Sequence, residues 1–286
     1  MLKATIAACR VELIGCDAMP CAQFFPLFPQ TAGDAHFTVE VTVQDSLPLP
    51  IGKPFERIGP WRIVREDAGD RSFCHQNGSL MLTADEPFTQ VHLYLHKDLP
   101  ARDVIHYQQV KQVFSYYLQH HGGCLLHGAG LSLDGDGILL CGKSGVGKST
   151  MVRRLTAYHP TAKVLCEEST ALTEDASGMM LHGTPFCGQD TLCAQECAQL
   201  RAVVFLRQAS HDRVCAISKE EALFELLSAI PRPSFEEQVC AMALERLVRV
   251  IEKTPMLCFE NTGSAESAQV LTASLTEWGL WQKKDR

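Results

Sequence analysis

The segment "GILLCGKSGVGKSTMVRRL", residues 137–155, constrains this chain more than any other. Gly142, Lys143, Ser144, Gly145, Val146, Gly147, Lys148 and Ser149 satisfy the pattern GxxxxGK[ST]. A short apolar run precedes it and an amphipathic run follows, so the stretch predicts strand, loop and helix within an α/β domain. The chemistry requires these residue types. Glycines let successive backbone N–H groups converge on anionic oxygens, and the following helix points its positive end at them. Lys148 is expected to reach the β- and γ-phosphates of a bound nucleotide as a point charge. Ser149 is expected to offer its hydroxyl to Mg²⁺, with Thr150 completing the contact stretch.

Holding phosphates is not a reaction, so a second element is needed. "KVLCEES" ends an apolar run in two adjacent carboxylates, Glu167 and Glu168. On a strand, adjacent side chains point apart, which suits two roles: one accepting a proton, the other supporting the metal. His127, in "LLHGAG", lies among apolar residues, where a lone histidine reads first as a core residue. Arg153, Arg154, Arg201 and Arg207 are candidate phosphate clamps, Arg207 foremost because it ends the apolar run "RAVVFLR".

Composition removes several alternatives. The formal net charge of −7 argues against a nucleic-acid partner. No apolar run approaches the roughly 18 residues of a membrane span, and "MLKATIAACRVELIG" does not read as a signal peptide. Thirteen cysteines, odd in number and scattered through apolar stretches, read as free thiols of a reduced, cytoplasmic protein. Cys187, Cys193 and Cys197 could suggest a metal, the last two as i,i+4 neighbours on a helix. Their spacing lacks the tight pairs of zinc sites, so ordinary thiols are expected.

The chain changes character near residue 100. Residues 1–100 read as a small antiparallel β-rich module for recognition or assembly, and 101–286 as the catalytic domain. In the module, "HFTVEVTVQD" alternates Phe37, Val39, Val41 and Val43 on one face. The three prolines of "LPLPIGKPF" are expected to break any element, and Asn77-Gly78 predicts a hairpin turn. Val104, Val110, Val113, Phe114, Tyr117 and Leu118 form the stripe of a helix that Gly122-Gly123 stops. Thereafter "CLLHGAGLSLD" reads as one strand, and helices are expected in "KEEALFELLSAI", after Pro233 and at the C-terminus.

Three pieces in this order, "HGAGL", "GILLCGKSGVGKST" and "VLCEES", resemble the HPr kinase/phosphorylase family, whose catalytic domain is related to phosphoenolpyruvate carboxykinase. The following "LHGTPFCG" looks more like the stand-alone branch that includes lasso-peptide kinases. The resemblance covers residues 120–190. It implies a phosphate-loop kinase domain with a mixed α/β sheet, using ATP and Mg²⁺ to phosphorylate a hydroxyl, serine foremost, on a peptide or small protein. It further implies that Glu167 and Glu168 supply the base and a metal partner, Glu168 joining Ser149 at the metal. Lys148 then takes the phosphate role and His127 positions the acidic pair. The family usually carries Asp at the first acidic position, and its C-terminal "EIRGxGI" signature has no counterpart here, which argues against phosphorylase activity and against HPr as acceptor. A nucleotide-binding regulator without transfer and a kinase of free serine or a similar metabolite stay open, as does homo-oligomerisation.

Overall fold

A computed structural model of the chain describes residues 1–16, 22–58, 61–65, 69–100, 102–187, 192–231 and 237–282. Two compact units result: Met1–His121 with Ser234–Val239, and Gly122–Pro233 with Cys240–Arg286.

The first unit contains β1 (Leu2–Ile6), β2 (Cys9–Ile14), β3 (Phe37–Gln44), β4 (Lys53–Ile58), β5 (Trp61–Arg65), β6 (Arg71–His75), β7 (Leu80–Ala84), β8 (Gln90–His96) and α1 (Arg102–His120). Among the described residues they form one sheet in the order β1-β2-β3-β8-β7-β6-β5-β4. The sheet is mixed rather than antiparallel, because β3 pairs in parallel with both β2 and β8. The long stretches separating these partners in sequence leave room for the crossovers that parallel pairing needs. Pro54 does not prevent a strand: β4 is the sheet edge, where a missing N–H costs no ladder bond. The β1–β2 hairpin turns on Ala7 and Ala8, both at positive φ, without the Asn-Gly that would have announced it. Phe37 and Val39 are buried, but Val43 is 46% exposed, so the β3 stripe is covered only at its start. There the Phe37 ring meets Phe114 and Tyr117 of α1 at 5.5 and 5.1 Å between centroids. Val110, Val113 and Leu118 of that helix are buried as expected, while the Val104 side chain and Pro233 lie outside the described residues.

The second unit holds β9 (Cys124–His127), β10 (Ala129–Leu133), β11 (Asp136–Cys141), β12 (Lys163–Cys166), β13 (Ser169–Asp175), β14 (Gly178–His182), β15 (Cys197–Gln208), β16 (Arg213–Ala216) and β17 (Met256–Asn261). Its helices are α2 (Lys148–Tyr158), α3 (Lys219–Ala229), α4 (Glu237–Lys253, from Cys240 onward) and α5 (Ser267–Glu277). Among the described residues the strands make a mixed sheet of nine, ordered β12-β10-β11-β15-β14-β13-β9, with β17 and then β16 branching from β15. β15 is long enough to serve two neighbours on one side: Cys197–Gln199 pair with β14, and Val203–Gln208 pair in parallel with β17.

Alternation along the central strands builds a core on each face. Leu139, Cys141, Val203 and Phe205 pack with Leu226 of α3 and Leu247 and Val250 of α4. Ile138, Leu140, Val204 and Leu206 pack with Met151, Val152 and Leu155 of α2 and Leu271 and Leu275 of α5. The result is an α/β/α sandwich whose central strand β11 runs directly into the glycine loop.

Gly183, just past β14, sits where backbone crowds backbone. A Cβ there would fall 2.5 Å from the Leu165 carbonyl oxygen and closer still to that of Ala194. Gly183→Ala is expected to destabilise the fold by about 3 kcal/mol, the upper part of the usual overpacking cost. Urea unfolding checks this; a loss below about 1 kcal/mol would show that the two carbonyls give way easily.

Candidate functional site

The loop between β11 and α2 takes the shape that its glycines permit. Gly142, Gly145 and Gly147 have φ of 143°, 79° and 105°, values that side chains disfavour. Gly147 caps α2 in the left-handed region and accepts the Met151 N–H at 2.9 Å. Lys148 opens the helix and folds back over the loop: its Nζ donates to the carbonyl of Gly142 at 2.8 Å and to that of Lys143 at 3.4 Å. Only 9% of this residue is exposed. Burial pulls its ammonium below the ordinary lysine range, against the opposing pull of Cys141 and Glu168.

Glu167 and Glu168 occupy a bend between β12 and β13 rather than a strand, so strand alternation does not govern where they point. Glu167 is 6% exposed. Three neighbours tie this bend. The Gly128 N–H donates to the Glu168 carbonyl at 2.9 Å, and the Thr170 hydroxyl donates to the Gly128 carbonyl at 2.8 Å. The Ser169 N–H donates to Cys166 Sγ at 3.4 Å, closing the bend over both glutamates.

Gly128 also breaks the expected single strand in two. β9 pairs with β13 and β10 with β11 and β12, so the chain changes partners at this residue. A Cβ on Gly128 would lie 3.0 Å from the Leu140 carbonyl oxygen, and glycine allows the close approach. His127 ends β9 opposite Ser169, the residue after the acidic pair.

One open cleft of about 610 Å³ collects these pieces. Its walls come from His127, from Ser144, Gly145, Gly147, Lys148, Ser149 and Thr150, from Arg153, and from Glu167 and Glu168. Gly142, Lys143 and Val146 instead line a second cleft of about 490 Å³ on the loop's other flank, beside Leu206, Arg207, Gln208 and Glu225. Ser144 and Gly145 border both.

Of the candidate arginines, only Arg153 lines the first cleft. Arg207 is engaged by Glu221 and, at 3.7 Å, Glu225. Arg201 pairs with Asp136 at 2.8 Å, and Arg154 lies near Glu266, whose carboxyl it helps to hold low after Ser264 and the residue's own amide. An apolar strand ending in Arg was a poor guide, because side chains at a strand end are claimed by whichever helix packs there.

Sequence reasoning missed the threonines that hold the bend. Thr170 and Thr184 are fully buried, and the Thr184 hydroxyl donates to the Ser169 carbonyl at 2.5 Å. Two buried threonines inside otherwise apolar stretches were the available signal, since a buried hydroxyl needs a partner. The cysteine reading also changes. Cys193 sits in an isolated bridge with Cys166 and Cys197 begins β15, so no helix carries them as i,i+4 neighbours. Burial pushes the Cys166 thiol up, but the neighbouring Cys187 thiol and the amides of Glu168 and Ser169 outweigh it and hold it below the ordinary thiol range.

Comparison with known proteins adds the family. The family model described as "SynChlorMet cassette protein ScmC" matches residues 97–252, more than half of the chain. The chain belongs to the ScmC family. In this ScmC member the matched region runs from before α1 through most of α4 and includes the whole cleft. No curated protein matches the sequence. Among solved structures, the Hpr(Ser) kinase/phosphatase from Coxiella burnetii aligns over 54% of this chain and 98% of its own, at 11% identity and a TM-score of 0.31. Among the described residues no helix is long and apolar enough to cross a membrane.

Proposed function

We propose that this ScmC protein is an ATP-dependent kinase that transfers the γ-phosphoryl group to a hydroxyl, serine foremost, of a peptide or small protein. The observation that carries this reading is the meeting of Lys148, Ser149, Glu167 and Glu168 in one cleft at the end of β11. A phosphate-binding loop alone would fit any nucleotide binder. Facing carboxylates add the means to take a proton and to support a cation.

Loop amides and Lys148 are suited to the β- and γ-phosphates. To reach them, Nζ exchanges its bonds with the Gly142 and Lys143 carbonyls for charged oxygens. The Ser149 hydroxyl and the Glu168 carboxylate are an oxygen donor pair suited to Mg²⁺, which would offset the charge on the terminal phosphates. Glu167 is assigned the base. In the step, the acceptor oxygen forms a bond to the γ-phosphorus, the bond from that phosphorus to the bridging oxygen breaks, and ADP leaves. The acceptor's proton goes to the Glu167 carboxylate. Lys148 and the loop amides stabilise the charge that develops. His127 borders this arrangement, and its following amide holds Glu168 in place. Arg153 is the arginine suited to the transferred group.

The β-rich first unit is assigned to recognition of the acceptor or to assembly. The word "cassette" in the family description fits an acceptor encoded beside the enzyme. Incubation with γ-labelled ATP and candidate peptides tests the reading: label on a peptide hydroxyl is expected. Tight ATP binding with no transfer would favour a regulator.

A further inference from the structure

The cysteines set aside as ordinary thiols regroup in the fold around the acidic bend. Cys166 immediately precedes Glu167 and is fully buried. Opposite it, across an isolated antiparallel bridge, lies Cys193, which is partly exposed. The bridge is held by Glu167 N–H to the Leu192 carbonyl at 3.3 Å and Ala194 N–H to the Leu165 carbonyl at 3.0 Å. These bonds flank the pair instead of joining it, so Cys166 and Cys193 occupy a non-hydrogen-bonded position. At such positions the Cα atoms are about 4.5 Å apart and both side chains leave the same face. That separation falls inside the window, about 4.4 to 6.8 Å, in which a disulfide can close.

Cys166 Sγ is also part of the framework of the bend. It accepts the Ser169 N–H at 3.4 Å and donates to the Phe186 carbonyl at 3.5 Å, while the Thr184 oxygen, its proton on the Ser169 carbonyl, lies 3.6 Å away. Cys187 lies against both Cys166 and Cys193, so it is the competing partner for either thiol.

We propose that Cys166 and Cys193 form a reversible oxidative modification site, closed as a disulfide by a peroxide, whose closure releases the bend carrying Glu167 and Glu168. The partly exposed Cys193 is the entry point. Its thiolate attacks one peroxide oxygen, the O–O bond breaks, and hydroxide leaves to form water, giving a sulfenic acid. Cys166 then loses its proton and attacks the Cys193 sulfur. The S–S bond forms, the S–O bond breaks, and the second oxygen leaves as water. Two thiols are oxidised by two electrons while one peroxide is reduced to two waters. Turning towards Cys193, the Cys166 sulfur withdraws from the Ser169 amide, and the bend loses one of its ties.

The significance for catalysis rests on the proposed kinase reading; the chemistry itself does not. The test treats the full chain with hydrogen peroxide, blocks remaining thiols with N-ethylmaleimide, and cleaves after glutamate and aspartate, which places Cys166, Cys187 and Cys193 on three separate peptides. Mass spectrometry is expected to find these two residues linked, with dithiothreitol reversing the link. Cys187→Ser should keep it and Cys193→Ser should lose it. Hydrogen exchange at residues 167–170 should quicken at least about tenfold on oxidation of the wild type and stay unchanged in Cys193→Ser, as expected for a freed amide. A link from Cys166 to Cys187, no link at all, or a link without faster exchange would each overturn the proposal. None of these readouts uses phosphoryl transfer, so their failure and that of the kinase reading are told apart. The other opposed pair, Cys215 and Cys258 of β16 and β17, lies on strands that do not carry the bend, and peptide mapping separates it.

Discussion

Lys148→Ala is expected to lower affinity for MgATP at least about 100-fold, with secondary structure retained. Removing a cation that faces phosphates in a partly desolvated cleft costs about 3 kcal/mol or more, and each 1.4 kcal/mol is tenfold in Kd. Without nucleotide, Nζ is occupied with the Gly142 and Lys143 carbonyls. Those oxygens also border the loop, and water can replace the ammonium there. Truncation should therefore weaken binding far more than folding. Calorimetric titration with MgATP, with circular dichroism on the same sample, separates the two. An affinity within about threefold of wild type would mean that the loop does not hold the phosphates as assigned.

Glu167→Gln and Glu168→Gln are each expected to lower turnover by at least about 100-fold, the scale of losing a general base or a metal-supporting carboxylate. The amide keeps the size of the side chain, so the buried Glu167 position stays filled. The two variants should differ in their metal response. Glu168→Gln should need more Mg²⁺ for half-maximal rate, because Glu168 is the assigned metal partner. Glu167→Gln should show the wild-type Mg²⁺ requirement at a reduced maximal rate. Steady-state rates across a Mg²⁺ series distinguish them. Near wild-type turnover in both would remove the acidic pair from the site.

Much of the second unit could be read from the chain. The glycine loop fixes its own geometry: Gly142, Gly145 and Gly147 take positive φ, and the apolar run before them can only be a buried strand. What the sequence concealed was partner choice. The stretch from Cys124 to Leu133 is apolar but for His127 and Ser132, and nothing local says that Gly128 ends one pairing and starts another. At the break the Gly128 amide donates to the Glu168 carbonyl, a partner from a distant segment. The same limit applies to the first unit, where alternation located β3 but could not reveal its two parallel neighbours. Pairing direction is decided by distant segments and leaves little trace in a strand's own residues.

The cleft shows the same division. Lys148, Ser149 and the two glutamates carry recognisable types in recognisable places. Thr170, Thr184 and Cys166, which shape the bend beneath them, look like ordinary strand residues until their hydrogen bonds are seen. Arg207 illustrates the converse: its position drew attention, and Glu221 and Glu225 claim it.

The most direct test of the central claim is transfer of label from γ-labelled ATP to a candidate peptide or small protein. The account predicts phosphate on a hydroxyl of that peptide, serine foremost, lost in Lys148→Ala and strongly reduced in both glutamine variants. Contradiction would be MgATP bound tightly by the wild type with no label on any peptide or small protein offered. Label found only on free serine would likewise exclude a peptide acceptor.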